Sequence, residues 1–460
     1  MSRKRRNRKN QGLCGDGRPV LEPFAAGIDV GAREMYVAVP PDRDANPVRI
    51  FPTYTTDLKA LVQWLKDCGV TTVAMESTGV YWIPLFQLLE DAELKPCLVN
   101  ARSMKNVPGR RTDWHDCQWI QYLHSVGLLR GAFRPEQTVC AVRAVYRQRT
   151  ELVAMAAQHV QHMQKALTQM NLQFHHVLSD ITGVTGLSII DAILDGQRDP
   201  AKLAALREPT VKADGETIQK SLMGDWRREH LFVLAQSRRM YKAYREQVIA
   251  CDREIESLMA EMPTRVDPDQ QPLPAGRPAR KDKRTMGALT FDYRTEAYKV
   301  FGVDVTRIPG LDGMVLGLLS EVGPDLSQFP TAAHFVSWLG LCPDNDKSGG
   351  QVLWRGVRRI RQRAGQLFRL AAHSLYRNTS RLGQFLQRMK SKLGPKAATT
   401  ATAHKIAVIF YTMVTKQVEY DETIWATKDA EREKRLEARI KRPAKQLGYE
   451  LVPIEQKPAA

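Results

Sequence analysis

Short apolar runs and amphipathic segments alternate between residues 25 and 130. A short apolar run between polar or glycine positions is typical of a buried strand, whereas apolar residues at intervals of three and four are typical of a helix that packs on one side. The pattern predicts strands at Ala25–Val30, Met35–Val39, Val48–Tyr54, Val73–Glu76 and Pro96–Val99, and helices at Thr56–Cys68, Tyr81–Leu89 and Asp113–Leu129.

The predicted order of these elements is β-β-β-α-β-α-β-α. Three antiparallel strands followed by parallel crossovers is the order of an RNase H-like α/β domain. Thr56 and Asp57 are expected to cap the first helix, because a hydroxyl or carboxylate there can accept a hydrogen bond from the free N–H groups of the first turn.

Two later stretches carry apolar side chains at intervals of three and four without a break. They predict two long helices joined by a compact insert at about 182–225, that is, an antiparallel coiled-coil hairpin over 141–263. The hairpin is either an internal spacer or a dimer interface, and we favour the interface because such seams are common protein–protein surfaces. The two seams are Val153, Ala156, Val160, Met163, Leu167, Met170, Phe174, Val177 and Ile181, and Leu234, Ser237, Tyr241, Tyr244, Val248, Cys251, Ile255, Leu258 and Met262.

The other segments differ in composition. Residues 264–297 begin with a stretch rich in proline and charge, which predicts a linker. Residues 298–425 are predicted to be mainly α-helical, and 426–460 form a charged tail. Residues 1–24 contain a basic arm that we expect to be disordered, and it either touches nucleic acid or is simply a solvated tail.

The net charge of +18 and the pI of about 9.6 favour a polyanionic partner, since lysine and arginine release counterions from phosphates. Solubility alone, or a ribosomal or membrane-surface role, would account equally well for this excess of basic residues. The sequence contains no secretory signal and no apolar run long enough for a membrane span. The seven cysteines show no CxxC spacing, which indicates reduced thiols in a cytoplasmic protein.

Four acids occupy the ends of predicted elements. Asp29 and Glu76 end two strands, and Asp113 and Asp116 share one face at the start of a helix. In the inferred fold these ends converge, and carboxylates brought together repel each other unless cations bind. Such oxygen ligands suit Mg²⁺, and two ions would polarise a phosphodiester, with Mn²⁺ as an alternative metal. Taken singly, each acid could instead be a surface charge, and Asp113 a helix cap.

Two basic segments lie beside residues that could take part in catalysis. In the segment KNVPGRRTDWHD the basic residues precede Asp113, and they would hold a backbone phosphate beside the acids. Further along, Ser348 is followed by two glycines and an arginine cluster, where its hydroxyl could attack a DNA phosphate and form a phosphoserine. SGG on its own predicts only a turn. The candidate nucleic-acid-binding residues are Lys105, Arg110, Arg111, Lys347, Gly349, Gly350, Arg355, Arg358, Arg359, Arg361 and Arg363.

Several of these stretches resemble one family, the DEDD transposases of the insertion-sequence-110 family, including its 1111-type relatives. The resemblance covers about residues 25–420. It rests on the stretches GIDVGAREMYVAV, MESTGVYW, NVPGRRTDWHDCQWI, RIPGLDGMVLGLLSEVG, HFVSWLGLCP and KSGGQVLWRG.

The resemblance implies a RuvC-like domain at 25–140 that binds metal through Asp29, Glu76, Asp113 and Asp116, and a transposase domain at 298–425 with Ser348 as nucleophile. It further implies recombination of double-stranded donor and target DNA, guided by a noncoding bridge or seeker RNA. A homo-oligomer is expected, a dimer that becomes a tetramer on DNA. The expected location is the bacterial cytoplasm, at the nucleoid during the reaction.

Three other functions fit parts of the sequence. A RuvC-like Holliday-junction resolvase or nuclease would use the carboxylates with a metal-activated water. A nonenzymatic nucleic-acid scaffold would need only the charge. An actin-like ATPase or sugar kinase would share the GIDVG strand, but the sequence shows no second glycine-rich Asp motif for it.

Overall fold

The computed structural model of the protein describes residues 19–99, 112–274, 286–344, 346–349, 351–354, 356–357 and 362–422, and a few isolated positions beyond them. The predicted basic arm lies almost wholly outside the described residues, as does most of the charged tail. The chain divides into two compact units, Met1–Arg134 and Pro135–Ala460, and each is described by itself.

The first unit has the predicted order of strands and helices. Its described strands form one mixed sheet in the order β3-β2-β1-β4-β5. The pairs β1–β2 and β2–β3 are antiparallel, and β1–β4 and β4–β5 are parallel, which confirms the RNase H-like arrangement. The elements are β1 (Ala25–Val30), β2 (Glu34–Ala38), β3 (Val48–Pro52), α1 (Thr55–Asp67), β4 (Thr72–Glu76), α2 (Trp82–Asp91), β5 (Lys95–Val99) and α3 (Asp113–Ser125).

Helices cover both faces of this sheet. Met35 and Val37 of β2 pack with apolar residues of α1 and α2 in the main core. The opposite face packs against α3 through smaller clusters, such as Ala74, Val99 and Ile120. The predicted cap of α1 is wrong: the helix begins at Thr55, and the N-cap residue is Tyr54, which offers no side-chain bond.

The second unit is built around two helices of 33 residues each, α4 (Gln137–Gln169) and α9 (Arg228–Ala260). They run antiparallel, because Arg149 pairs with Asp252 while His159, further along α4, stacks on Tyr244, which comes earlier in α9. The structure therefore contains the predicted pair of long antiparallel helices. Their winding as a coiled coil remains a prediction.

The first seam does not continue as one helix to Ile181, as its spacing predicts. Helix α4 ends at Gln169, and Asn171 adopts a left-handed φ of 53° that turns the chain. Phe174 and Ile181 are nevertheless buried in the same core as the long helices. Four short helices fill this region: α5 (Phe174–Val177), α6 (Val184–Leu194), α7 (Pro200–Ala204) and α8 (Gly215–Ser221).

The C-terminal part of the second unit is mostly helical, as predicted. Its helices are α10 (Tyr293–Phe301), α11 (Val315–Val322), α12 (Ala332–Trp338), α13 (Arg363–His373), α14 (Arg381–Leu393) and α15 (Pro395–Lys416). The buried rings of Phe335, Phe368 and Phe410 contact one another in its core. Helix α10 begins inside the predicted linker, of which residues 275–285 lie outside the described residues.

One element of this part was not predicted. Strands β6 (Asp346–Ser348) and β7 (Gln351–Trp354) form an antiparallel hairpin between α12 and α13. Within the described parts of the chain, no helix is both long enough and apolar enough to cross a membrane.

Candidate active site

Strands β1 and β4 bring the first two predicted acids together. Ile28 lies opposite Met75 in the parallel pair, so Asp29 and Glu76 follow in register at the carboxyl ends of neighbouring strands. Side chains alternate between the two faces of a strand. Ala74 contacts the α3 side of the sheet, and Glu76, two residues later, therefore lies on that side as well.

Helix α3 supplies the other two acids from its first turn. It packs so closely on β1 that a Cβ built on Gly27 would lie 2.2 Å from the backbone nitrogen of Gln121. Thr72 at the start of β4 also contacts His124 near the end of α3, at 2.9 Å between oxygen and nitrogen. With this end of the helix fixed beside the beginning of the strands, its first turn lies beside their carboxyl ends. The N-cap is Thr112, so Asp113 is not the cap.

All four predicted acids line one cavity of about 600 Å³. The structure thus brings together Asp29, Glu76, Asp113 and Asp116. The pKa of Asp29 is raised from 3.8 to about 6, first by burial and then by the charges of the other three carboxylates, Asp113 foremost. Each carboxylate therefore disfavours the ionised state of Asp29.

Ser348 lies in the second unit, as the last residue of β6. It is exposed, and Gly349 follows in a left-handed turn with a φ of 54°. Arg363 is exposed at the first residue of α13. The remaining predicted phosphate-binding residues, and the side chain of Lys347, lie outside the described residues: Lys105, Arg110, Arg111, Gly350, Arg355, Arg358, Arg359 and Arg361.

Two family models match the chain, and both describe transposases. A DEDD transposase model of the IS110 family matches residues 26–172, which contain the four acids. A model of the IS116/IS110/IS902 transposase family matches residues 304–387, which contain Ser348. Together the two models span half of the chain. The protein belongs to the IS110 family of transposases. A search of curated proteins found no match to the transposase.

The transposase is therefore an enzyme that acts on the DNA of an insertion sequence, and its DEDD domain implies a divalent metal. The donor set fits this metal, since four carboxylates share one cavity and the charges of three of them oppose ionisation of Asp29. A cation bound among the carboxylates would instead favour ionisation of Asp29. In the described part of the chain, however, no three metal-ligating side chains are already arranged as a complete site.

Four further residues with polar or charged side chains line the same cavity of the transposase and were missed in the sequence. They are Arg33, Glu34, Tyr36 and Thr78. The hydroxyl of Thr78 donates to Oε1 of Glu76 at 3.0 Å, and that of Tyr36 donates to Oε2 of Glu34 at 3.3 Å. Burial, and then the charge of Glu34, raise the pKa of Tyr36. The alternation of buried Met35 and Val37 was the signal that could have placed Glu34 and Tyr36 on the acidic face.

Proposed function

We propose that the transposase is an RNA-guided DNA recombinase in which the four carboxylates bind metal and Ser348 forms a phosphoserine intermediate with DNA. One observation carries the metal-binding half of this proposal: four acids from three separate segments of the chain line one cavity, and three of them oppose ionisation of the fourth, Asp29. Acids that served only solubility would lie apart on the surface, where water stabilises their charges.

Asp29, Glu76, Asp113 and Asp116 would hold two Mg²⁺ ions, or Mn²⁺. Bound there, the ions would stabilise the negative charge that develops on the attacking and leaving oxygens of a phosphodiester. Thr78 fixes the orientation of Glu76 through its hydrogen bond. Partners of this kind commonly tune the affinity of the ligands that they orient.

The nucleophile is proposed from the position of Ser348. Ser348 is exposed at the end of a strand, next to a left-handed glycine that places no side chain near it. In the proposed step a bond forms between Oγ of Ser348 and phosphorus. The bond from phosphorus to one deoxyribose oxygen breaks, the serine hydroxyl loses its proton, and the leaving oxygen takes up one proton and departs as a hydroxyl.

The sequence around Ser348 supports a nucleic-acid partner. Fifteen lysines and arginines, but no aspartate or glutamate, occur between Lys347 and Val418. Lys392 and Lys396 are exposed, and neither forms an ion pair with a described residue. Cations that no carboxylate neutralises attract phosphates, which fits both DNA and a guide RNA.

Trapping a covalent adduct tests the serine. The transposase purified with its bound RNA is incubated with DNA of the element ends and Mg²⁺, then denatured and separated by size. We expect Ser348→Ala to abolish the protein–DNA adduct while RNA binding persists. Ser391→Ala, on the exposed side of α14, serves as the matched control. Cleavage by Ser348→Ala at the normal rate, without an adduct, would instead support the resolvase that uses water.

Two parts of the proposal need separate measurements. Sequencing of the copurifying nucleic acid should yield one discrete noncoding RNA, and its absence would refute RNA guidance. Mass photometry of the free protein and of its DNA complex should yield a dimer and a tetramer. A monomer in both states would refute the proposed assembly.

A further inference from the structure

Tyr36 lies in the cavity of the four carboxylates, and the proposed function gives it no role. It is directly opposite Asp29 in the antiparallel pair of β1 and β2. Side chains at opposite positions of such a pair lie on the same face, with their Cβ atoms about 5 Å apart. Tyr36 is therefore a direct neighbour of a predicted metal ligand.

Packing fixes the ring of Tyr36 and leaves its hydroxyl at the cavity. The ring contacts the cluster of Ala38, Val48 and Cys117, which come from β2, β3 and α3. The hydroxyl donates to Oε2 of Glu34 at 3.3 Å, which is long for a bond between two oxygens. A bond of this length is readily exchanged for a better acceptor.

The turn between β1 and β2 holds Glu34 in place. The backbone N–H of Gly31 donates to the carbonyl oxygen of Glu34 at 3.1 Å. A Cβ at position 31 would lie 2.5 Å from that same oxygen, so the turn requires glycine. Glu34 is thereby kept on the cavity wall, where it directs the hydroxyl of Tyr36.

A neutral donor is useful in this cavity because the lining is acidic. A phosphodiester that enters it meets the four carboxylates and Glu34, with Arg33 as the cation among the described lining residues. Thr78 already donates its hydroxyl to Glu76. The phenol of Tyr36 can donate to a phosphate oxygen without adding negative charge, and it has only the weak bond to Glu34 to give up.

We propose that Tyr36 binds the substrate: its hydroxyl donates a hydrogen bond to a non-bridging oxygen of the DNA phosphodiester in the carboxylate cavity. This inference rests on the proposed function, since it assumes that a DNA phosphate enters there. Glu34 acts as a positioning residue, which holds the phenol toward the cavity until the substrate arrives.

Removal of the hydroxyl tests the proposal. Loss of one hydrogen bond to a charged group corresponds to at least a tenfold effect, so we expect Tyr36→Phe to lower the single-turnover rate of strand cleavage about tenfold. The full-length protein with its copurified RNA is used at saturating Mg²⁺. Tyr54→Phe is the matched control, because Tyr54 is 75% exposed and does not line the cavity. Equal melting temperatures exclude a merely structural effect.

A sulfur substitution separates a substrate contact from an indirect one. Each diastereomer of a phosphorothioate at the scissile position is cleaved by the wild type and by Tyr36→Phe. We expect one diastereomer to slow the wild type markedly and to slow Tyr36→Phe no further. The same comparison in Mn²⁺ identifies sulfur effects that arise at the metal, because the softer ion tolerates sulfur. Independent effects of sulfur and mutation with both diastereomers would overturn the proposal.

Glu76→Gln in the same assay distinguishes failure of the role proposed for Tyr36 from failure of the proposed function. If Glu76→Gln is inactive and Tyr36→Phe equals the wild type, the role of Tyr36 is refuted and the proposed function stands. If Glu76→Gln cleaves normally, the carboxylates are not the active site, and both proposals fall.

Discussion

Replacement of Asp29 by asparagine should stabilise the metal-free transposase at neutral pH. The pKa of Asp29 is raised from 3.8 to about 6, so the folded state binds the proton more tightly than the unfolded chain does. The resulting contribution to stability is present below pH 3.8 and is lost as the pH rises through about 6. At neutral pH the wild type must hold a charged Asp29 among three other carboxylates, and Asp29→Asn does not.

The size of this effect follows from the shift. A shift from 3.8 to about 6 corresponds to at most about 3 kcal/mol. Asp29 is only partly buried, and solvent screens its neighbours, so we expect about 1 kcal/mol in the free energy of unfolding. For a unit of this size that is a rise of about 4 °C in melting temperature.

Scanning calorimetry of the full-length chain measures the effect. In EDTA at about pH 7.5, Asp29→Asn should melt above the wild type, and at about pH 4.5 the difference should be clearly smaller, because the contribution to stability is lost between pH 3.8 and about 6. Mg²⁺ should then raise the melting temperature of the wild type more than that of the variant, which also identifies the transition of the first unit. Asp91→Asn, at the exposed end of α2, is the control and should change little at either pH.

One outcome would refute the reasoning about the cavity. If Asp29→Asn lowered the melting temperature equally at both pH values, the carboxylate would be a structural hydrogen-bond acceptor and not the centre of a repulsive cluster. A Mg²⁺-induced shift as large in the variant as in the wild type would separately show that Asp29 contributes nothing to metal binding.

Three further changes have defined outcomes. Gly27→Ala places a Cβ against the backbone of α3 and should abolish Mg²⁺-dependent stabilisation, as measured by calorimetry. Thr78→Val removes the bond to Glu76 and should weaken Mg²⁺ binding about tenfold in a calorimetric titration, while the fold is retained. Asp252→Ala leaves Arg149 buried without its carboxylate and should cost about 3–5 kcal/mol in urea unfolding of the second unit, whereas unchanged stability would show that water replaces the ion pair.

The sequence was most informative where one physical rule dominated. Strand β1 was predicted with its observed limits, because a buried run that ends in Asp29-Val30-Gly31 has few alternatives. The convergence of the acids also followed from the topology, because parallel neighbours end at the same edge of a sheet. In both cases the pattern over a few residues determines the local structure.

Predictions failed where distant contacts decided the structure. Nothing in the spacing around Met170 marks the end of α4, yet the N–H of Gln173 donates to the carbonyl of Ser221, and the carbonyl of Met170 accepts from Asp225. These partners are some fifty residues away, so the heptad pattern continued where the helix did not. Tyr36 was missed for a related reason: its importance depends on its register with Asp29.

The packing of α3 links the stability of the first unit to its chemistry. The four carboxylates disfavour their own assembly, since three of them raise the pKa of the fourth. They are nevertheless held together because the rest of α3 is fixed to the sheet, through Ile120 against Ala74 and through the close contact at Gly27. The apolar contacts of the helix thus offset the repulsion at its first turn. It follows that a change which loosens α3 far from the acids, such as Ile120→Ala, should weaken metal binding without touching a ligand.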